Sequence, residues 1–517
     1  VISPLPDWAT SIRPHQQQAR EDIQRAFNGG AKVVWLDAPT GSGKTLIGDL
    51  VRRDLGLERA LFVCSSKTLQ DQVASDFPYA EVLKGRANYP TDTEGVTCDS
   101  CTYGGVDAPC YWCSSRDGCS YQIAKRATRK AELGVLNTTY LLTEGSSPRS
   151  AFAGAPLIIA DECDLLESEL MRHVELVLPG GLLKALGTSA PDTGKHYKTI
   201  ADWLDGIVAP RLFNMASRQR KSDPDGAKRQ IRYRQMGAKT KWMAQQLIGG
   251  GWVRADRARD FAMKPVTVER FGQERLWGLG QRWLCMSGTI IDARRMSEDL
   301  GLRENEWELV SVANTFPVEN RPIRVVPVAD LRNGPKWEEE AGKMAKALVN
   351  VARLHPDDRI LVHSVSYKLT EVLTKGLEGA GRPVFTYRNA AERDEAIAKY
   401  RANERSVLVA PSLERGVDFS GEDCRVVVVA KVPYPNLGDR QIGARLHSHG
   451  GQDWYTVQTV RSLVQMTGRG VRSADDWATN YILDRGFLRL LRERRELFPQ
   501  WWLDAVDTKF PTYNLTK

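Results

Sequence analysis

Short, uninterrupted apolar runs recur along the chain, each bounded by polar or glycine-rich sequence. Lys32-Val33-Val34-Trp35-Leu36 and Leu157-Ile158-Ile159-Ala160 stand in the first half. Arg359-Ile360-Leu361-Val362-His363-Ser364, Ser406-Val407-Leu408-Val409-Ala410 and Arg425-Val426-Val427-Val428-Val429-Ala430 stand in the second. Runs of this kind lack the alternation of a half-exposed strand and predict strands buried on both faces of a parallel sheet. Helical patterns separate those of the second half, so the expected fold class is α/β. No run approaches the roughly 20 apolar residues of a membrane-spanning helix, which excludes a membrane protein.

Length and charge add boundaries. At about 150 residues per domain, the 517 residues allow three or four domains. The net charge of +8 is modest and informative only where it is concentrated. The start of the chain, with Pro4, Pro6 and Asp7, has neither the basic flank nor the apolar stretch of a secretion signal, so a reducing compartment is expected. In such a compartment the five cysteines crowded between Cys98 and Cys119 point to metal ligation rather than disulfides.

The first apolar run feeds directly into Ala38-Pro39-Thr40-Gly41-Ser42-Gly43-Lys44-Thr45, a P-loop pattern in which Ala38 replaces the strict first glycine. Gly41 and Gly43 let the backbone wrap so that its N–H groups face phosphate oxygens. Lys44 would reach the β/γ-phosphates, and the Thr45 hydroxyl would ligate Mg²⁺. The run at Leu157 ends in Asp161-Glu162-Cys163-Asp164, placing carboxylates at a strand end. Asp161 is the expected Mg²⁺ holder and Glu162 the group that polarises water for attack on the γ-phosphate of ATP.

These segments, together with Ser287-Gly288-Thr289 and Gln465-Met466-Thr467-Gly468-Arg469-Gly470-Val471-Arg472, occur in the order of superfamily 2 helicases, and the sequence most resembles the XPD/DinG family. The likeness runs from Arg13 to about Asp484 and includes Lys84-Gly85-Arg86-Ala87-Asn88-Tyr89, Asn137-Thr138-Thr139-Tyr140-Leu141-Leu142, Phe316-Pro317, Asn320-Arg321-Pro322 and Glu414-Arg415-Gly416-Val417-Asp418. It implies two RecA-like P-loop motor domains that cleave ATP between them. Gln465 would lie beside the attacking water, with Arg469 and Arg472 approaching the phosphates from the second domain. Asp418 would lie at the nucleotide cleft, Gln16 would read adenine, and Ser364, Ser366 and Tyr367 would lie near the DNA backbone. Cys163-Asp164 departs from the Ala-His of many relatives.

The stretch between Lys44 and Asp161 is longer than a βαβ crossover demands and carries Cys98, Cys101, Cys110, Cys113 and Cys119. By coordination chemistry, Zn²⁺ held by Cys98, Cys101, Cys110 and Cys113 and a [4Fe–4S] cluster held by four of the five are equally open. The resemblance implies the iron–sulfur cluster, with Cys110, Cys113, Cys119 and either Cys98 or Cys101. Tyr103, Tyr111, Trp112 and Tyr121, with Arg116, Lys125, Arg126, Arg129 and Lys130, read as a strand-contacting set or as a plain solvated face.

Between Arg211 and Arg275 there are sixteen Lys/Arg against six Asp/Glu, a field that attracts polyphosphate or, alternatively, an acidic protein partner. Within it Ser217 to Gly226 reads as a loop on account of Pro224 and Gly226.

The resemblance therefore implies residues 1–83, 126–168 and 263–292 as motor domain 1 and 84–125 as the Fe–S insert. Residues 169–262 would form a mostly helical, basic arch insert, and 293–517 motor domain 2. The implied function is an ATP-dependent helicase on single-stranded DNA, moving 5′ to 3′ and parting duplex or overhang substrates. An RNA or RNA–DNA hybrid helicase and an ATP-switched nucleic-acid clamp are the alternatives. A monomer is expected, with room for an accessory protein, in the cytoplasm of a prokaryotic cell or phage-infected host.

Overall fold

A computed structural model describes residues 4–511 and 515, apart from residues 10, 102–111, 114–116, 146, 148–149, 193–195, 221, 257–258, 333, 412, 414–418, 420, 469, 472 and 474. Its strands are β1 Val33–Asp37, β2 Ala60–Cys64, β3 Ala80–Val82, β4 Leu133–Asn137, β5 Ile158–Asp161, β6 Leu176–Leu178, β7 Trp252–Arg254, β8 Phe261–Pro265, β9 Trp283–Ser287 and β10 Trp307–Ser311. They continue as β11 Ile323–Ala329, β12 Ile360–His363, β13 Val384–Thr386, β14 Val407–Ala410, β15 Val426–Val429, β16 Thr479–Asp484 and β17 Val506–Asp507. Two seven-stranded sheets result, ordered β10-β1-β9-β5-β2-β4-β3 and β13-β14-β12-β15-β16-β11-β17, with a smaller sheet β6-β8-β7. Every pairing within the two large sheets is parallel.

The apolar runs lack alternation because both faces of each sheet are covered. Val33, Trp35, Val63, Ile158 and Trp283 pack into one core, while Val34, Leu36, Phe62, Ile159 and Leu284 pack into another on the opposite face. The second sheet divides likewise, with Ile360, Val407 and Val426 on one side and Leu361, Leu408 and Val427 on the other.

Sheet order does what sequence order does not. β1, β9 and β5 are neighbours, with Asp37 in register with Ser287 and Asp161 with Met286. Three loops from distant parts of the chain therefore leave one sheet edge side by side, the usual place for a ligand in such sheets.

Both insertions grow from this first sheet. Cys98, Cys101, Cys113 and Cys119 share a core with β1 and β5, and so do Leu183, Trp203 and Phe261 of the later insertion. That later insertion contains the helices Tyr197–Trp203, Ala209–Ser217 and Pro224–Leu247. It also holds the antiparallel sheet β6-β8-β7, which carries it to Pro265, three residues past the expected end.

Two expectations are corrected. β10 pairs in parallel with β1, so the first sheet takes in residues up to Ser311 and the second unit starts after it, not at 293. Its exposed Glu308 and Leu309 belong to an edge strand, which hides the pattern of a buried run. Pro224 and Gly226 lie in the first turn of a 24-residue helix rather than in a loop. Asp223 caps that turn by accepting from the Asp225 and Gly226 N–H groups, and proline fits where no intrahelical donor is needed. Among the described residues no helix is long and apolar enough to cross a membrane.

Candidate active site

The loop after β1 wraps tightly. Gly41 and Gly43 both sit at φ 80°, and a Cβ on Gly43 would lie 2.2 Å from Gln16 Nε2. Gly43 is thus required by conformation and by space. Ser42 Oγ donates to the Pro39 carbonyl at 2.7 Å. Lys44 opens the helix Lys44–Asp54 and its ammonium donates to the carbonyls of Ala38 (3.0 Å) and Pro39 (3.3 Å). Thr40 and Thr45 are half-buried beside it. Gln16 is 4% exposed; its amide donates to the Ser42 carbonyl at 3.0 Å and accepts from the Arg13 N–H at 2.9 Å. Its NH₂ end braces the loop, while its oxygen caps the start of its own helix Pro14–Asn28.

The loop after β5 brings the carboxylates. Asp161 accepts from the Glu162 N–H at 2.9 Å. Burial raises its pKa, with Lys44 and the Glu162 N–H opposing the rise. Glu162 stands at φ 50°, a left-handed conformation that costs a non-glycine residue energy. In that turn its carboxylate accepts the Ser65 hydroxyl from the end of β2.

Asp164 gathers the third loop and the second domain. It accepts from Ser287 Oγ at 2.7 Å and from Gln465 Nε2 at 2.9 Å. The same Gln465 nitrogen donates to Thr289 Oγ1 at 2.9 Å, and Arg461 Nε donates to the Thr289 carbonyl at 3.3 Å. The departure at Cys163-Asp164 thus carries its own consequence: Asp164 is a charged acceptor that joins Ser287 to Gln465 across the seam. Arg469, Arg472 and Asp418 lie outside the described residues.

Sequence reasoning missed several of these groups. Asp37, at the end of β1, is pushed up to about 6 by burial, against the pull of the Ile290 N–H and of Lys44. Ser65 and Arg461 also went unread. A polar residue at the carboxyl end of an apolar run is the signal that marks Asp37 and Ser65; nothing local marks Arg461.

The cysteine insert departs from expectation. Cys98, Cys101, Cys113 and Cys119 are buried, and the Cys98 and Cys119 sulfurs lie 3.8 Å apart. Among the described residues, however, no three Cys, His, Asp or Glu side chains converge as a metal site. Cys110 lies outside the described residues, as do Tyr103, Tyr111 and Arg116. Trp112 donates to the Ser100 carbonyl at 3.2 Å, and Tyr121, 2% exposed, shares a hydrogen bond with Tyr140 at 2.6 Å. Both rings are core, not a stacking platform, because each has an interior partner for its polar atom. Lys125 pairs with Glu144 and Arg126 with Asp117. Ser364 is likewise interior and bonded to the Ala410 carbonyl, whereas Tyr367 is exposed.

The basic arm presents Arg218, Arg220, Arg229, Arg232, Arg234 and Lys241 to solvent. Lys228 pairs with Asp99 at 3.3 Å, tying the long helix to the cysteine insert.

Comparisons with known proteins agree with this geometry. Residues 348–505 match the helicase C-terminal domain, and residues 9–177 match the res subunit of type III restriction enzymes. A regulator of telomere elongation helicase 1 homolog from Caenorhabditis briggsae is 24% identical over 267 residues, covering 43% of this chain and 26% of its own length. The ATP-dependent DNA helicase CHL1 of Saccharomyces cerevisiae (strain YJM789) is 23% identical over 137 residues, covering 23% of this chain and 16% of its own. The chain therefore spans about a quarter or less of the length of these curated relatives. Among solved structures, an XPD helicase superposes with a TM-score of 0.66 at 16% identity over 94% of this chain and 98% of that one. S. tokodaii Xpd4 does so with 0.60 at 14% over 96% and 100%. Both likenesses show the fold. The curated relatives come from nematodes, flies and yeast, which overturns the expectation of a prokaryotic or phage-host cytoplasmic chain.

Proposed function

We propose that the chain is an XPD/DinG-type helicase of superfamily 2, an ATP-dependent helicase that cleaves ATP at the seam between its two parallel-sheet domains and moves on single-stranded DNA, 5′ to 3′. The observation that carries this reading is the contact of Gln465 with Asp164 and Thr289, which ties the second domain to the loops that follow β5 and β9.

In this reading the backbone of residues 38–43 cradles the triphosphate, and Lys44 exchanges its carbonyl partners for β/γ-phosphate oxygens. Thr45 and Asp161 would hold Mg²⁺, which neutralises phosphate charge as it is cleaved. The buried Asp161 suits a cation, since a positive charge relieves the penalty its burial imposes. Glu162, aimed by its left-handed turn, orients and deprotonates the attacking water; Ser65 holds it in readiness. Gln465 positions that water from the second domain, and Arg469 and Arg472 supply positive charge to the leaving phosphate. Asp418 borders the cleft. Gln16 acts through the P-loop it braces and meets the base only if its amide is released.

The exposed arginines of the arm support a polyanionic strand as partner over an acidic protein, being spread along helices rather than gathered at one point. For the cysteine insert we keep a [4Fe–4S] cluster over Zn²⁺ as part of this proposal. Its support is the resemblance, since the buried thiols suit either metal and do not converge among the described residues; its role would be to brace an insert that already shares the first domain's core.

Lys44→Ala and Glu162→Gln are expected to abolish ATP turnover while a fluorescent single strand still binds. Strand-stimulated turnover surviving in either variant refutes the assignment. Comparing DNA with RNA strands of one sequence as stimulants, and 5′ with 3′ overhangs as unwinding substrates, tests substrate and direction.

A further inference from the structure

The helix Gly451–Thr467, which carries Gln465 near its end, touches the first domain along its length. Trp454 Nε1 donates to Glu167 Oε2 at 3.0 Å, and Gln458 Nε2 reaches the same oxygen at 3.5 Å. Arg461 and Gln465 follow, both on Thr289. Positions 454, 458, 461 and 465 are spaced four, three and four apart, which places them in one stripe on a single helix face. Glu167 in turn stands one helical turn after Asp164, so two neighbouring carboxylates of the first domain receive the two ends of the stripe, roughly 16 Å apart.

Trp454 is held on both sides. Arg445 lies over its ring at 5.4 Å and is itself bound to Asp299 of the first domain. Arg445 and Asp299 are buried, at 1% and 4% side-chain exposure. Arg295, paired with the same Asp299, abuts Gly450 so closely that a Cβ there would lie 2.1 Å from its Nη1. Gly450 sits at φ 65°. The start of the helix is therefore seated by packing as well as by charge.

We propose that Trp454 is a positioning residue for ATP cleavage: gripped by Glu167 and Arg445, it fixes the depth and rotation of the helix Gly451–Thr467 so that Gln465 meets Asp164 and Thr289. The inference rests on the reading of a nucleotide cleft at this seam. A rigid helix held only at Gln465 pivots about that contact, whereas a second contact three turns away sets its angle. Loss of the Trp454 contact leaves substrate binding by the P-loop intact and weakens the arrangement that acts on the transition state, so the loss falls on kcat rather than KM.

The test uses the whole chain with a single strand as stimulant. Trp454→Phe keeps the ring under Arg445 and removes the N–H; Glu167→Ala removes the acceptor; Glu167→Gln keeps an acceptor oxygen. Trp454→Phe and Glu167→Ala are each expected to lower kcat about tenfold, with the KM for ATP within about twofold. The double variant should be no worse than either single one, and Glu167→Gln should stay within about twofold of the parent. Thermal melting fixes the folded fraction of each. A parental kcat in Trp454→Phe, losses that multiply in the double variant, or a loss that tracks the folded fraction overturns the proposal. Lys44→Ala runs beside them: turnover surviving there defeats the cleft reading itself, whereas a silent Trp454→Phe beside a dead Lys44→Ala defeats only the positioning role.

Discussion

Replacing Asp164 by alanine removes the one carboxylate that joins the loop after β5 to both the loop after β9 and the second domain. In the native protein it accepts from Ser287 Oγ at 2.7 Å and Gln465 Nε2 at 2.9 Å, and it is 7% exposed. Hydrogen bonds to a charged acceptor contribute about 1.5–3 kcal/mol each, so the two together bound the effect at about 3–6 kcal/mol. Only the share that strengthens at the transition state reaches kcat. Both donors also keep a second partner. Ser287 Oγ lies 3.2 Å from Thr289 Oγ1, and Gln465 Nε2 still donates to Thr289. We therefore expect Asp164→Ala to lower strand-stimulated kcat about 10- to 100-fold, equivalent to about 1.4–2.8 kcal/mol, with KM for ATP changed less than about threefold. Asp164→Asn should fall between, because its oxygen can accept from Ser287 while its NH₂ opposes the Gln465 donor. Steady-state ATP turnover with saturating single strand is the assay. A parental kcat for Asp164→Ala, or a loss expressed in KM alone, refutes the relay.

Glu167 is pushed up to about 7, first by burial and then by Asp299, against Arg445, the Trp454 N–H and Arg461; Arg295 and Asp164 complete its charged surroundings. A carboxyl whose folded pKa lies above its unfolded one contributes stability that is present below about pH 4.5 and lost as pH rises through about 7, on the order of 1–3 kcal/mol here. Glu167→Gln cannot lose it, so melting curves should show the variant gaining on the parent between about pH 5 and pH 8; a pH-independent difference contradicts this. Neutralising Arg229, Arg232 and Arg234 to glutamine should weaken single-strand binding and flatten its dependence on log salt by about two to three units, with ATP turnover at saturating strand preserved; an unchanged slope removes the arm from the strand path. Anaerobically purified protein should carry iron and a brown colour lost on Cys113→Ser, whereas colourless protein with stoichiometric zinc would favour the other metal.

The nucleotide loop, the carboxylates and the parallel sheets were legible because each is written contiguously: a strand, a turn and a helix start follow one another within a dozen residues. What was not legible depends on the strands lying side by side in an order unlike their sequence. Glu167 and Trp454 are 287 residues apart, and neither has a neighbour that marks it. Trp112 and Tyr121 fit neither the strand-contacting nor the solvated-face reading, because an aromatic among lysines looks the same whether its ring points in or out; only the partners Ser100 and Tyr140 decide it. Asp223-Pro224 is the opposite case. The cap was in plain view, but Pro224 and Gly226 together weigh toward a loop in a reading based on composition, although a proline in the first turn is also a helix start.

The polar contacts at the seam bear on how the proposed motor would open. Its named contacts are polar: carboxylates with hydroxyls, an amide, an indole N–H and guanidinium groups. An apolar seam of equal area would gain from every square ångström it kept closed, and ATP would have to work against all of it. Polar contacts lose little on opening, because water replaces each partner taken away. Among the described residues Lys44 stands on the Ala38 and Pro39 carbonyls, Glu162 on Ser65, and Asp164 on Ser287 and Gln465. In the proposed reading a triphosphate would recruit Lys44 away from its carbonyls and add charge to the cleft, shifting the balance between closed and open by exchange of partners. Such an exchange would be reversible within each turnover, as the proposed movement along a strand requires.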